Sequence, residues 1–130
     1  MAELRVGNWN VEWMNRWFTS DRNVPEWKAS DDISGVTDIE DLARRVAGVI
    51  EAMAPDVLTI QEGPSRREEL ALFVDGPLGG RYEIVGPAGS GQQKLYALIR
   101  KGCELIDDVA EVAARPDFDF AAPFEVDVDG

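Results

Sequence analysis

Apolar and polar residues alternate with two different periods along the chain, and each period predicts a different kind of element. Apolar residues spaced three and four apart follow a capping pattern at Thr37 and predict a helix over 38–54 that ends before Pro55. A second capping pattern at Ser65 predicts a helix over 65–75. Runs rich in β-branched and aromatic residues predict strands that begin near Leu4, Val57, Arg81, Lys94, Leu105 and Phe124.

This order of elements predicts one mixed sheet with two helices on one face, which is an α/β fold class. Gly86 to Gly91 is predicted as a loose turn, and the segment from Met14 to Val36 as a long irregular loop, because it has no clean period. Four tryptophans lie in or near this loop. We expect them to pack in the core around it, although they could also stack on bases. They are Trp9, Trp13, Trp17 and Trp27.

The net charge and the absence of histidine limit the kinds of ligand and catalytic site that the chain is expected to have. The formal net charge is −12, which repels phosphate backbones and disfavours tight non-specific nucleic-acid binding. The chain has no histidine, so it lacks the commonest general base and a zinc enzyme is disfavoured. Its single cysteine, Cys103, cannot form an internal disulfide, and no stretch reaches the roughly 18 apolar residues of a membrane span. With a strand-like run directly after Met1, we expect no signal peptide and a cytoplasmic location.

Two strand ends carry polar side chains suited to phosphate or metal chemistry. Asn10 and Glu12 are two apart at the end of the first strand, so we expect them on one face, as phosphate-binding amide and cation-binding carboxylate. Glu62 ends the second strand, where ligands of mixed sheets gather. Purely structural roles are the alternatives. Asn10 and Glu12 would then belong to a polar turn, and Glu62 would cap the next helix or pair with Arg66 or Arg67.

Together these motifs resemble those of the endonuclease/exonuclease/phosphatase family, which has the DNase I-like fold. The family's first motif, a strand ending in Asn-Val or Asn-Ile and often an acid, stands here as WNVE over Trp9–Glu12. Its second stands as PDVLTIQE over Pro55–Glu62. The intervening helix and the later strand QKLYALIR, over 93–100, are also similar to the family's, so the resemblance covers nearly the whole chain.

The resemblance implies a Mg²⁺-dependent hydrolase, with Mn²⁺ as a second suitable ion, in which an activated water attacks a phosphate ester. The substrate would be a nucleic acid, as for a nuclease or phosphodiesterase, or a small phosphate ester. In this family Glu62 corresponds to the metal ligand, Asn10 contacts the site near the metal and the scissile phosphate, and Glu12 lies close to the metal. The family's Gly-Asp-Phe-Asn stretch and Asp-His pair are absent. Residues 1–130 therefore resemble one partial domain, the N-terminal half of a four-layer α/β/β/α sandwich.

Two functions of different classes are predicted from this. The first is a hydrolase half that is inactive alone and needs the catalytic residues of a complementary C-terminal half. The alternative is a non-catalytic half-domain that binds a protein through its exposed sheet face. In both cases we expect an uncovered apolar sheet face, including Phe124, Val126 and Val128, to promote self-association or to bind the complementary half.

Overall fold

The computed structural model of the chain describes residues 3–19, 24–89, 91 and 93–107. Regular structure within these residues comprises four strands, two α-helices and one short 3₁₀ helix. In chain order they are β1 (Val6–Asn10), the 3₁₀ helix Met14–Trp17, α1 (Ile39–Met53), β2 (Val57–Gly63), α2 (Arg67–Asp75), β3 (Tyr82–Ala88) and β4 (Lys94–Arg100).

The four strands form one mixed sheet in the order β1-β2-β4-β3. β1 and β2 are parallel, with Val6 opposite Val57 and Asn10 opposite Gln61. Parallel neighbours need a crossover connection, and α1 lies in it. β4 runs antiparallel to both β2 and β3. The predicted α/β class, a mixed sheet with two helices, is confirmed.

Both helices pack on the same face of this sheet, and the core lies between them and the strands. Ala43 and Ile50 of α1, Phe73 of α2, and Leu58 and Leu98 of the sheet belong to one cluster, each at most 1 % exposed. Complete burial of an aliphatic or aromatic side chain stabilises the fold by about 1.5–3 kcal/mol. Among the described residues, no helix has the length and apolar character needed to cross a membrane.

α1 begins one residue later than the capping pattern predicts. The N-cap is Asp38 and not Thr37: Asp38 Oδ1 accepts a hydrogen bond from the Asp41 N–H at 3.0 Å. A carboxylate at this position satisfies an otherwise unpaired N–H and faces the positive end of the helix. The helix ends where Ala54 turns left-handed, with φ of 47°, directly before Pro55.

α2 shows the same one-residue shift. The reciprocal acid of its first turn is Glu69, whose carboxylate accepts hydrogen bonds from the Arg66 N–H and the Ser65 hydroxyl, both at 3.2 Å. Glu69 is 1 % exposed and also pairs with the Arg66 guanidinium at 3.4 Å. A buried carboxylate is tolerated here because several donors surround it.

The strand predicted to begin at Leu105 is wrong over its described part. Residues 101–107 form turns, in which the Cys103 N–H donates to the Arg100 carbonyl at 3.4 Å. The Cys103 and Ile106 N–H groups bond to nearby positions of the chain, and only the Lys101 N–H, directly after β4, donates across to the Arg81 carbonyl at 2.9 Å. The rest of that predicted strand, and the strand predicted from Phe124, lie outside the described residues. β3 also extends further than predicted, to Ala88, into the segment predicted as a loose turn.

The face of the sheet opposite the helices carries a mixture of exposed apolar and polar side chains. Val6 on β1 is 63 % exposed and Leu95 on β4 is 52 % exposed. Asn8 and Thr59 lie between them and share a hydrogen bond of 2.7 Å. We call this surface, formed by Val6, Asn8, Thr59, Leu95 and Ala97, the open face. No described element packs against these five residues.

Candidate metal centre

A bulge at the end of β2 redirects Glu62. The pairing of β2 with β4 is regular from Val57 to Ile60 and then shifts register before Gly63. By strand alternation Glu62 would share the helix-covered face with Ile60, which is 1 % exposed. Instead, Glu62 adopts a left-handed backbone conformation with φ of 57° and remains only partly buried. Bulges recur next to active sites because they re-aim one side chain in this way.

Gly63, the residue after Glu62, packs tightly against β4 and stabilises the bulge. Gly63 lies against Tyr96 so closely that an added Cβ would be 2.6 Å from Tyr96 Cδ2 and 3.1 Å from the Lys94 carbonyl oxygen. The Tyr96 hydroxyl donates to the Pro64 carbonyl at 2.7 Å. Burial, followed by the nearby Glu69 carboxylate, raises the pKa of Tyr96, so its hydroxyl keeps its proton and remains a donor. This geometry therefore requires glycine at position 63.

The chain that leaves β1 turns sharply beside the bulge. β1 ends at Asn10, and both Glu12 and Trp13 are left-handed, with φ of 54° and 59°. The 3₁₀ helix that follows anchors this turn, because Met14 is fully buried and Trp17 is 5 % exposed. Non-glycine residues in this conformation cost roughly 1–3 kcal/mol each and persist only where the surroundings hold them.

Hydrogen bonds to Asn10 and Glu62 hold the turn in place. Asn10 Nδ2 donates to Glu62 Oε1 at 3.1 Å, and the Trp13 N–H donates to Glu62 Oε2 at 3.0 Å. Asn10 Oδ1 accepts from the Glu12 N–H at 2.9 Å. The amide of Asn10 is thus oriented by partners on both sides, and both oxygens of Glu62 are fixed.

Glu62 has the capacity to ligate a hard cation in this arrangement. An ionised carboxylate has about four acceptor positions, and the two donors to Glu62 use two of them. Mg²⁺ is commonly held by one or two carboxylates, water and substrate phosphate, so a single carboxylate fits part of such a site. Within the described ranges no group of three Asp, Glu, Cys or His side chains comes together as a metal cage. The described residues therefore place one carboxylate here and not a complete metal cage.

Of the three predicted site residues, Asn10 and Glu62 are in direct contact and Glu12 reaches them through its backbone. The expectation that Asn10 and Glu12 share a strand face rested on two-residue alternation. That alternation ends with β1 at Asn10, and the left-handed turn sends the exposed Glu12 carboxylate into a groove beside Trp13.

Sequence reasoning missed the role of Trp13 and did not consider Arg16. Trp17 is buried and stacks with Trp27 at 6.4 Å between ring centroids, so core packing is confirmed for that pair. Trp13 is 44 % exposed, and the Arg16 guanidinium lies over its ring at 4.5 Å. The only sequence signal was the spacing of three between them, which places two residues on one side of a helical turn.

Comparison with known proteins adds no relative: no family model, no curated protein and no solved structure matches this chain.

Proposed function

We propose that this chain is the N-terminal half of a phosphoesterase domain of the endonuclease/exonuclease/phosphatase type, with Glu62 as its Mg²⁺ ligand. The proposal joins the resemblance of the two sequence motifs to the local geometry of their residues. Asn10 and Glu62 lie 52 positions apart and meet at 3.1 Å at the end of adjacent parallel strands. Mn²⁺ has the same preference for oxygen ligands and would also fit.

Backbone strain around one carboxylate is the observation that carries the proposal. Four non-glycine residues of the described chain have positive φ, and three of them surround this site: Glu12, Trp13 and Glu62. Strained residues of this kind cluster at functional sites. A carboxylate that only capped α2 would need none of this, and α2 already has Glu69 for that purpose.

Each site residue has a distinct role in the proposed reaction. Glu62 would hold the cation, and Asn10 would keep the Glu62 carboxylate in position through one N–H of its amide. The second N–H of that amide is suited to a phosphate oxygen. Bound Mg²⁺ would supply charge stabilisation to the phosphoryl oxygens and lower the pKa of a coordinated water. Glu12 follows Asn10 by two residues, and its carboxylate would accept hydrogen bonds from metal-bound water if its side chain turned from the groove towards Glu62.

The chain supplies no histidine to act at phosphorus or on the attacking water. We therefore propose that the Asp-His pair of the family comes from a complementary C-terminal half, and that these 130 residues alone do not turn over substrate. The proposed location is the cytoplasm, because a lone cysteine needs no oxidising compartment.

Metal titration tests the centre directly. We expect isothermal titration calorimetry to detect weak Mg²⁺ and Mn²⁺ binding to the 130-residue chain, which is lost in Glu62→Gln. Glu68→Gln is the matched control, because Glu68 is an exposed glutamate in the first turn of α2 and should bind as the unmodified chain does. Equal binding by Glu62→Gln and the unmodified chain would show that Glu62 has a structural role only.

An activity assay tests the need for a second half. A chromogenic phosphodiester with Mg²⁺ should show no turnover by this chain. Turnover that Glu62→Gln abolishes would support the metal centre and refute the requirement for further residues.

The open face favours a second candidate function, a protein-binding half-domain without catalysis. Exposed Leu95 lines a cavity of about 320 Å³ on this face, together with Val85 and Ala97. In that case metal binding at Glu62 would be absent, while association through the open face would remain. Metal titration and a measurement of association through the open face therefore distinguish the phosphoesterase half from the protein-binding half-domain.

A further inference from the structure

A groove adjoins the candidate metal centre on the helix side of the sheet. We call it the Trp13 groove. Six of its lining residues are Glu12, Trp13, Arg16, Asp31, Ile33 and Val46. Its volume of about 480 Å³ lies within the range of about 300–1,000 Å³ that is usual for small-molecule sites. Because Asn10 and Glu62 fix the backbone N–H groups of Glu12 and Trp13, the wall of the groove and the metal centre share one turn of chain.

Among the described arginines, Arg16 differs in having neither a carboxylate nor a backbone carbonyl as its partner. Every other arginine in the described residues forms an ion pair with a carboxylate or donates to a backbone carbonyl, whereas the guanidinium of Arg16 contacts only the Trp13 ring, at 4.5 Å. Those others are Arg5, Arg44, Arg45, Arg66, Arg67, Arg81 and Arg100. The chain has 25 acidic residues against 13 basic ones, so an arginine without an acid is not explained by a shortage of partners. Five N–H donors in a planar fork are well suited to one phosphate group.

Trp13 offers a flat apolar surface next to this donor. Trp13 is 44 % exposed although it adopts a strained left-handed conformation, held by the hydrogen bond to Glu62. Ile33, 76 % exposed on the turn across the groove, provides a second apolar contact. An aromatic ring that binds between such surfaces is stabilised by stacking on tryptophan.

The far wall of the groove holds a fixed acceptor. Asp31 is 7 % exposed, and its Oδ2 accepts from the Ser34 hydroxyl at 2.6 Å and the Ser34 N–H at 3.2 Å. The hydroxyl hydrogen bond, above all, lowers the pKa of Asp31, so the carboxylate is ionised at neutral pH. It repels phosphate and attracts N–H donors, such as the amino group on the edge of a nucleobase.

We infer that the Trp13 groove binds the amino-bearing base of a small nucleotide ester, with the phosphate at the Arg16 end, towards Glu62. As the substrate subsite of a phosphoesterase, this inference rests on the proposed function. A polymeric nucleic acid is disfavoured, because a net charge of −12 repels a phosphate backbone and the described groove contributes one unpaired cation. The base ring, its amino group and a terminal phosphate match the groove's three kinds of contact, which are the apolar surfaces, the Asp31 carboxylate and the Arg16 guanidinium.

Binding of adenosine 5′-monophosphate to the 130-residue chain in EDTA tests the groove without the metal. We expect calorimetry and tryptophan fluorescence to detect binding. Glycerol 3-phosphate has the phosphate without a base, and purine riboside 5′-monophosphate has the ring without the amino group. Both should bind at least about tenfold more weakly, because stacking or an amino hydrogen bond to a carboxylate is lost. Equal affinity of either compound with the adenosine nucleotide would contradict the inference.

Two variants locate the site. Arg16→Gln should weaken binding by about tenfold or more through loss of a charge-assisted contact, whereas Arg45→Gln on the exposed side of α1 should not change it. Trp13→Gly removes the ring, keeps the N–H that donates to Glu62 and suits a φ of 59°, so the turn should survive while binding is lost. Unchanged affinity in both variants would place the nucleotide elsewhere and refute the groove.

A failure of this inference is distinguishable from a failure of the proposed function. If Mg²⁺ titrates at Glu62 and no nucleotide binds in EDTA, the groove inference is wrong and the metal centre stands. If the nucleotide binds with the expected variant pattern and Mg²⁺ does not bind, the groove is a nucleotide site and the substrate role is wrong. A single-stranded oligonucleotide that binds more tightly than the mononucleotide would overturn the preference for a small ester.

Discussion

At the scale of single residues, Gly63 is the position where a minimal change has the clearest expected cost. Gly63→Ala adds a methyl group 2.6 Å from Tyr96 Cδ2, and Tyr96 cannot retreat easily because its hydroxyl is bonded to Pro64. We expect a loss of about 1–3 kcal/mol in the free energy of unfolding, the usual cost of overpacking. Urea denaturation measures it. Gly48→Ala is the control, since an added Cβ there meets nothing within 4 Å and should stabilise α1 by about 0.5–1 kcal/mol. Equal stability changes at the two glycines would contradict the tight packing at the bulge.

The same residues show how far local sequence signals reach. The Gln-Glu strand and its place before a helix were readable from β-formers and capping residues, and Asn10 and Glu62 are in contact. The left-handed conformations of Glu12, Trp13 and Glu62 were not readable, because no local propensity favours them in these residue types. The hydrogen bonds from Asn10 and Trp13 to Glu62 hold this geometry. These bonds join residues about 50 positions apart, so the local order of apolar and polar residues does not predict them.

At the scale of elements, substitutions at the N-terminus of α1 test whether Asp38 or Thr37 is the N-cap. Asp38→Ala should destabilise the fold by about 1 kcal/mol, because the Asp41 N–H loses its acceptor. Thr37→Ala is the paired control and should have little effect, since Thr37 is exposed and lies outside the helix. Thermal melts of both variants give the comparison. The reverse order of effects would restore the cap predicted from sequence.

Three strands are joined at Asp56, and this junction should be sensitive to acid. The Arg5 N–H donates to Asp56 Oδ2 at 2.7 Å, and this bond, with the Arg100 guanidinium, holds the pKa of Asp56 below its ordinary value of 3.8. Its stabilising contribution is complete above the unfolded-state pKa near 3.8 and is lost as pH falls through the lower folded-state pKa. Asp56→Asn should therefore lose less stability than the unmodified chain between pH 7 and pH 2, as measured by urea denaturation. Asp75→Asn, at an exposed position, should keep the full acid dependence.

The elements themselves were largely predictable, and their limits were not. α1, α2, β2 and β4 follow from apolar periods that match their burial, since the same side chains that mark the period form the core. The strand predicted at Leu105 failed, because a run of apolar residues does not reveal whether a pairing edge is in reach. Residues 101–107 instead close hydrogen-bonded turns next to β4.

At the scale of the whole molecule, the open face should make the chain self-associate. Val6 and Leu95 are 63 % and 52 % exposed on the face of the sheet opposite the helices, which no described element covers. We expect sedimentation velocity at several concentrations to show a larger species as concentration rises, because buried apolar area contributes about 25 cal/mol per Å². Leu95→Lys should shift the chain towards monomer, and Val49→Lys, an equal charge change on the outer side of α1, should not. A monomer at all concentrations would refute self-association through this face.

Because the Trp13 N–H donates to Glu62 Oε2, the NMR signal of this backbone proton reports on the state of the Glu62 carboxylate. An amide proton that donates to a carboxylate changes its NMR resonance frequency when that carboxylate gains a proton or a cation. Trp13 also borders the groove, so its indole would respond to the proposed nucleotide and its amide to the proposed cation. A single isotope-labelled residue thus distinguishes an ion at the carboxylate from a ring stacked on the side chain, in one titration and without any substitution.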